Sequence, residues 1–315
     1  MQARLARREA RRASTRRRRG FALASLLGLC CAAVTLLLIA QAGGGSHRHP
    51  RTTGRTAPRS IQGRRRAVAP RKTGPPGKRA VPILMYHVIA APPAGAPFPG
   101  LYVPPAEFSE QMRALKHAGW HAVTPDQVEA YWREGVPLGP GKPIVLSFDN
   151  GYQSQYTQAL PVLRRLGWVG EENLQLSGLP PSQGGLGQDE IRGLVRAGWE
   201  LDTQGFSHAD LITLDAQELH YQVADARREL RRRFHAPVNW FCYPSGHYDP
   251  TVVAAVKAAG YVGSTTVVPG WAHPSEDPYR LHRLRVLGGT SASELLALLA
   301  SVRDSAPAPA SYGEN

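Results

Sequence analysis

The chain has 315 residues, enough for one sizeable domain with appendages, and a formal charge of +14 that at first suggests a nucleic-acid partner. The charge is unevenly divided: residues 1–80 hold 20 of the 38 Lys and Arg and one acid, Glu9, whereas residues 81–315 hold 18 bases against 23 acids, a net −5. A mildly acidic globular part has no basic face with which to grip phosphates, so a nucleic-acid function is excluded.

Residues 1–20 form a basic tail with nine arginines, expected on the cytoplasmic side. Residues 21–40 contain no charge, and as a helix they would reach about 30 Å, the thickness of a bilayer's hydrocarbon core. They are expected to be a single transmembrane helix or uncleaved signal anchor, with the C-terminal domain extracytoplasmic at the cell membrane. Ala40, Gln41 and Ala42 form a small-x-small pattern, so cleavage after Ala42 would instead give a secreted protein. Residues 41–80 are Gly, Pro, Arg and Thr with few large apolar side chains, the composition of a disordered basic tether. Cys30 and Cys31 fall in the apolar run, and Cys242 stands alone in the domain, which rules out an internal disulfide there.

The domain is expected over residues 81–303. Residues 81–89 read as an apolar strand with His87 near its end, and a lone strand histidine is ordinarily a core residue. Phe108, Met112 and Leu115 recur at helical spacing. Thr124 to Gln127 form a capping box with proline at the first helical position. Residues 144–148 form a short buried strand, closed by the polar turn Asp149, Asn150 and Gly151, so both polar side chains should sit at a strand's end. Tyr156, Leu160, Leu163 and Leu166 then mark a helix stopped at Gly167. A helix over 190–197 ends at Gly198. Asp215 opens another, with Leu219, Val223, Ala226, Leu230 and Phe234 on one face and Arg227, Arg228 and Arg231 to Arg233 on the solvated remainder. Residues 251–259 form a helix, 261–268 and 281–286 strands, and 292–302 the last helix. Residues 304–315 have a disordered composition. Strands alternating with helices imply βαβ units and an α/β fold.

Four stretches carry a resemblance. Phe148-Asp149-Asn150-Gly151 is similar to the first motif of the polysaccharide deacetylases, the NodB homology group or carbohydrate esterase family 4, whose usual form is Phe-Asp-Asp-Gly. The run from Gly198 through Glu200 and Gln204 to His208 resembles the second motif, with Gln204 where the family has its earlier histidine. Phe241-Cys242-Tyr243-Pro244-Ser245-Gly246 resembles the third. Leu84-Met85-Tyr86-His87 resembles the opening strand of the poly-N-acetylglucosamine deacetylase-like subgroup. The resemblance implies an irregular (β/α) barrel of about seven strands, with an active groove at the strands' C-terminal ends. It implies Asp149 as base and His87 as acid, with His282 as an alternative acid. His208, Asn150 and Gln204 take the metal-ligand positions, and Tyr243, Pro244 and Tyr152 contact substrate. The implied cofactor is a divalent metal such as zinc, cobalt or nickel, but two neutral amides replace a carboxylate and an imidazole, which weakens any such site. The implied partner is a cell-wall or surface polysaccharide. Two functions stay open: a deacetylase-like hydrolase of N-acetylated glycans with a weakened or rearranged metal site, or an inactive relative that binds glycan or an envelope partner.

Overall fold

The structure, a computed structural model, describes residues 74–179, 184–303 and 306–313. The expected membrane segment at 21–40, the basic tail and most of the tether lie outside the described residues. Among the described residues no helix is long and apolar enough to cross a membrane.

The central strand is β3, Lys142–Asn150, buried from Pro143 to Asp149. β1, Ile83–Tyr86, runs parallel beside it, and β4, Glu171–Leu174, pairs with its C-terminal half. The pairing continues in parallel through β5 (Glu200–Thr203), β6 (Trp240–Cys242), β7 (Gly263–Pro269) and β8 (Leu281–Arg285). β8 returns to β1, so seven strands close a ring, and β2, Trp120–Val123, adds an eighth against the first half of β3. Each crossover carries helix or irregular chain over the outside, as parallel strands require. The expected (β/α) barrel is observed.

Registered residues of parallel neighbours share a face, which fixes what each strand turns inward. Leu84, Tyr86, Leu146 and Phe148 face outward onto the helices Pro105–His117, Leu160–Leu166 and Ala292–Ser301. Leu201 and Phe241 do the same on the far side, against the helical run through Leu219, Val223 and Leu230. The inside is different. Ile83, Val145, Trp240 and Leu281 plug the strands' N-terminal end, and above them the barrel turns polar with Ser147, Glu171, Asp202, Cys242 and Arg283, all fully or almost fully buried. Polar groups in a barrel interior are costly unless paired, so what pairs them determines the site.

Two helical runs contain a π-helical turn, Gln155–Ala159 just ahead of Leu160–Leu166, and Tyr221–Asp225 between Ala216–His220 and Ala226–Phe234. The capping box at Thr124 forms as expected, with Gln127 N donating to Thr124 Oγ1 and Thr124 N to Gln127 Oε1. At the chain's ends the fold extends beyond its expected limits. Gly77 N donates to Tyr131 O and Trp132 Nε1 to Arg79 O, so the last residues assigned to the tether belong to the domain. The tail expected to be disordered is, over 306–313, laid along the domain. His282 Nε2 lies 3.0 Å from Ala306 O, Tyr248 Oη donates to Pro309 O, and Tyr312 pairs with Tyr248. Composition missed it because backbone carbonyls, not side chains, make the attachment.

Candidate active site

Asp149 is the last buried residue of β3 and faces into the barrel mouth, 1% exposed. A carboxylate there needs a countercharge. Arg283, on the inward face of β8, supplies it with a bidentate pair: Nη1 to Oδ1 at 2.8 Å and Nη2 to Oδ2 at 2.9 Å. The rest of that guanidinium is occupied as well, by Thr266 O, Ser147 Oγ and the Cys242 sulfur. Asn173 Nδ2 adds a bond to Oδ1 at 3.1 Å, and the Cys242 thiol lies 3.6 Å from Oδ2. Burial pushes the Asp149 carboxyl up, but Arg283, His87 and Asn173 together outweigh it and hold it below its ordinary value, so it is ionised.

His87 follows the last residue of β1 and stands 9% exposed beside Asp149, its Nε2 4.0 Å from Oδ2. Its Nδ1 is buried without a partner. Burial lowers its pKa to about 4, with Arg283 and Arg285 assisting and Asp149 opposing, so the ring is neutral near pH 7. A buried imidazole with both nitrogens uncommitted beside a clamped carboxylate is built to exchange a proton with something in the groove. One consequence is measurable. The unfolded histidine takes up its proton near pH 6.5 and the folded one only near 4, so the unfolded chain binds more protons between them and stability falls as pH drops through that window. His87→Gln is expected to flatten that slope, as read by urea unfolding at a series of pH values.

Of the three positions implied as metal ligands, Asn150 and Gln204 touch, and His208 lies near enough to feel the charge of Asp149. Gln204, 3% exposed, accepts a hydrogen bond from Asn150 N through Oε1 at 3.1 Å, so one ligand position is tied to the backbone of another. Asn150 itself has φ +78 and His208 φ +52, left-handed turns that end their strand and loop. Asp149 is clamped by Arg283 and Asn173 and is not free to swing toward the ligand positions as the missing anion. That leaves one imidazole and two neutral amides, and among the described residues no three His, Cys, Asp or Glu are placed to hold a cation. The residues present do not fit a resident divalent metal.

Of the expected substrate contacts, Tyr152 is half-buried and bridges Gly185 across the groove's edge. Tyr243 is placed differently. Its ring is 1% exposed, stacked on Tyr248 at 4.9 Å, and its hydroxyl donates to Tyr279 O, which together with buried Pro244 makes this turn a core element. His282 is excluded as the acid, since it alternates with Arg283 to the outside of β8, where it is fully buried against Glu276 and Ala306 O. Arg283, Asn173 and Cys242 were not read from the sequence as site residues. An arginine inside a short strand was the available signal for the first.

Residues 138–264 match the family model described as polysaccharide deacetylase. Over 232 residues, 74% of this chain and 80% of the relative, the chain is 28% identical to a Bacillus subtilis protein named "Putative polysaccharide deacetylase YxkH". A 59-residue stretch, 19% of this chain and 9% of the relative, is 42% identical to the poly-beta-1,6-N-acetyl-D-glucosamine N-deacetylase of Escherichia coli K12. Among solved structures, BC0361, a polysaccharide deacetylase from Bacillus cereus, superposes with a TM-score of 0.63 at 25% identity, covering 70% of this chain and 69% of that one.

Proposed function

We propose that this chain, whose residues 138–264 match the polysaccharide deacetylase family, hydrolyses the N-acetyl carbon–nitrogen bond of a cell-wall or surface glycan, at the cell envelope where residues 21–40 would anchor it. The observation that carries this reading is the Asp149–His87 pair at the barrel mouth, ionised carboxylate against neutral imidazole at 4.0 Å. A water held at the Oδ2 and Nε2 edge is drawn by Asp149 and loses its proton to His87 as its oxygen bonds the acetyl carbon. The carboxylate stabilises the imidazolium so formed. That proton then passes to the sugar nitrogen as the carbon–nitrogen bond breaks, leaving acetate and a free amine. No step is assigned to a metal, because the donor set does not suit one.

A second reading rests on the hydrogen bond from Asn150 N to Gln204 Oε1, which engages the side chain at one ligand position with backbone: the groove binds glycan without turning it over. β-1,6-linked N-acetylglucosamine oligomers, named for the E. coli relative, are the first substrate to try. Release of acetate with new free amine, lowered about 10²-fold in His87→Gln, is the expected result. Saturable calorimetric binding of the same oligomers without acetate release would favour the second reading.

A further inference from the structure

The β1–β3 ladder ends one residue short of the site. Its last registered pair is Tyr86 with Phe148, and the next pair would be His87 with Asp149, the two residues that carry the chemistry. What links them instead is a side chain. Gln155, fully buried, donates from Nε2 to His87 O at 2.9 Å and to Asp149 O at 2.8 Å, so both hydrogens of one amide span the two strand ends. The turn that presents it is also attached to β1, through Ile89 N donating to Ser154 Oγ at 3.0 Å. Gln155 opens the π-helical turn Gln155–Ala159, and such wide turns are frequent at functional sites.

The second π-helical turn does the same at the other side of the mouth. Gln222 Oε1 accepts from Phe206 N at 3.0 Å and Ser207 N at 2.9 Å, and its Nε2 donates to Ser207 Oγ, fixing the loop that leads into His208. One π turn near the start of its helix and one inside the helical run 216–234 thus each present a glutamine to backbone at, or leading into, a site residue.

We propose that Gln155 is a positioning residue for the hydrolysis assigned above: its amide replaces the missing ladder rung and sets the separation of the His87 imidazole from the Asp149 carboxylate. The proposal rests on that functional reading, but its geometry can be tested without it. Two variants of the full chain are compared, Gln155→Met, which keeps length and loses both donors, and Gln222→Met as a control on the opposite loop. Two readouts are taken, the ¹⁵N shifts of the His87 ring by NMR at one neutral pH, and kcat and KM on the N-acetylated oligomers.

Gln155→Met is expected to move the His87 ring shifts and lower kcat about tenfold with KM nearly unchanged, whereas Gln222→Met leaves the His87 shifts in place. Unmoved His87 shifts in a folded Gln155→Met variant, with only a lower melting temperature, would overturn the proposal and leave Gln155 a structural residue. If the wild type releases no acetate, the functional reading fails and the ring shifts alone decide the positioning role. Should Gln155→Met not fold, Gln155→Asn keeps the amide but is one methylene short of bridging both carbonyls, and the same two readouts apply to it.

Discussion

Arg283→Met is expected to destabilise the domain by about 3–5 kcal/mol near neutral pH, because it leaves Asp149 charged and buried with its main partner gone. All the N–H donors of Arg283 are committed inside the barrel, two of them to Asp149, and neither side chain is more than 1% exposed. Solvent therefore cannot substitute. The pH dependence should change sign with the mutation. In the wild type the folded pKa of Asp149 lies below its ordinary 3.8, so its contribution is complete above that value and is lost as pH falls through the folded pKa. Without Arg283 burial acts with little opposition and raises the folded pKa above 3.8. Stability then declines as pH rises through the raised value, and the deficit against wild type is largest near neutrality and shrinks in acid. Asp149→Asn combined with Arg283→Met removes the stranded charge and should recover most of the loss. Urea unfolding of the three proteins at several pH values checks this, and equal deficits for the single and double variants would show that packing, not charge, is what Arg283 supplies.

How much of this was legible depended on whether a strand's environment matched its alphabet. β3 was plain, since four apolar residues after a proline and a polar turn at Gly151 define a buried strand and its exit. β1 and the capped helices were plain for similar reasons. β4 was not. Glu171, Glu172 and Asn173 have no apolar alternation, yet all three are fully buried. Burial raises Glu171 and Glu172 well above the ordinary carboxyl range, and Asp202 on the neighbouring strand rises to about 7 for the same reason. These are acids that read as surface, and burial shifts them toward their neutral forms. β8 misleads in another way: Leu281, Arg283 and Arg285 share the inward face while Leu284 packs outside, so the residues that look solvent-facing turn toward the site. Asp149 and His87 could be found because they lie at the ends of legible strands. Arg283, Asn173 and Gln155 act by contacts across 134, 24 and 68 positions of chain, and no local pattern encodes those.

Restoring both altered ligand positions, Asn150→Asp together with Gln204→His, is expected to create zinc binding that the wild type lacks and to raise glycan deacetylation on the order of 10³-fold. The two changes return one anion and one imidazole to a mouth that already holds His208, giving three donors of the kind zinc prefers. Each single change should fall well short, because the donors act as a set and neighbouring changes are not additive. The loss is modest by comparison: Asn150 N no longer has Gln204 Oε1 as acceptor, a cost of about 1 kcal/mol. Zinc present at a thousandfold its dissociation constant would stabilise the double variant by about 4 kcal/mol, so thermal unfolding with and without the metal measures binding independently of turnover. The Asp149–Arg283 clamp keeps the Asp149–His87 pair in place beside the restored site, since the clamp is untouched by either change. If zinc binds and turnover does not rise, the groove no longer seats an N-acetyl group. If zinc does not bind, the left-handed turns at Asn150 and His208 hold the two positions too far from a common centre, and the Gln204–Asn150 bond is then a replacement for the metal as the element that keeps the mouth together.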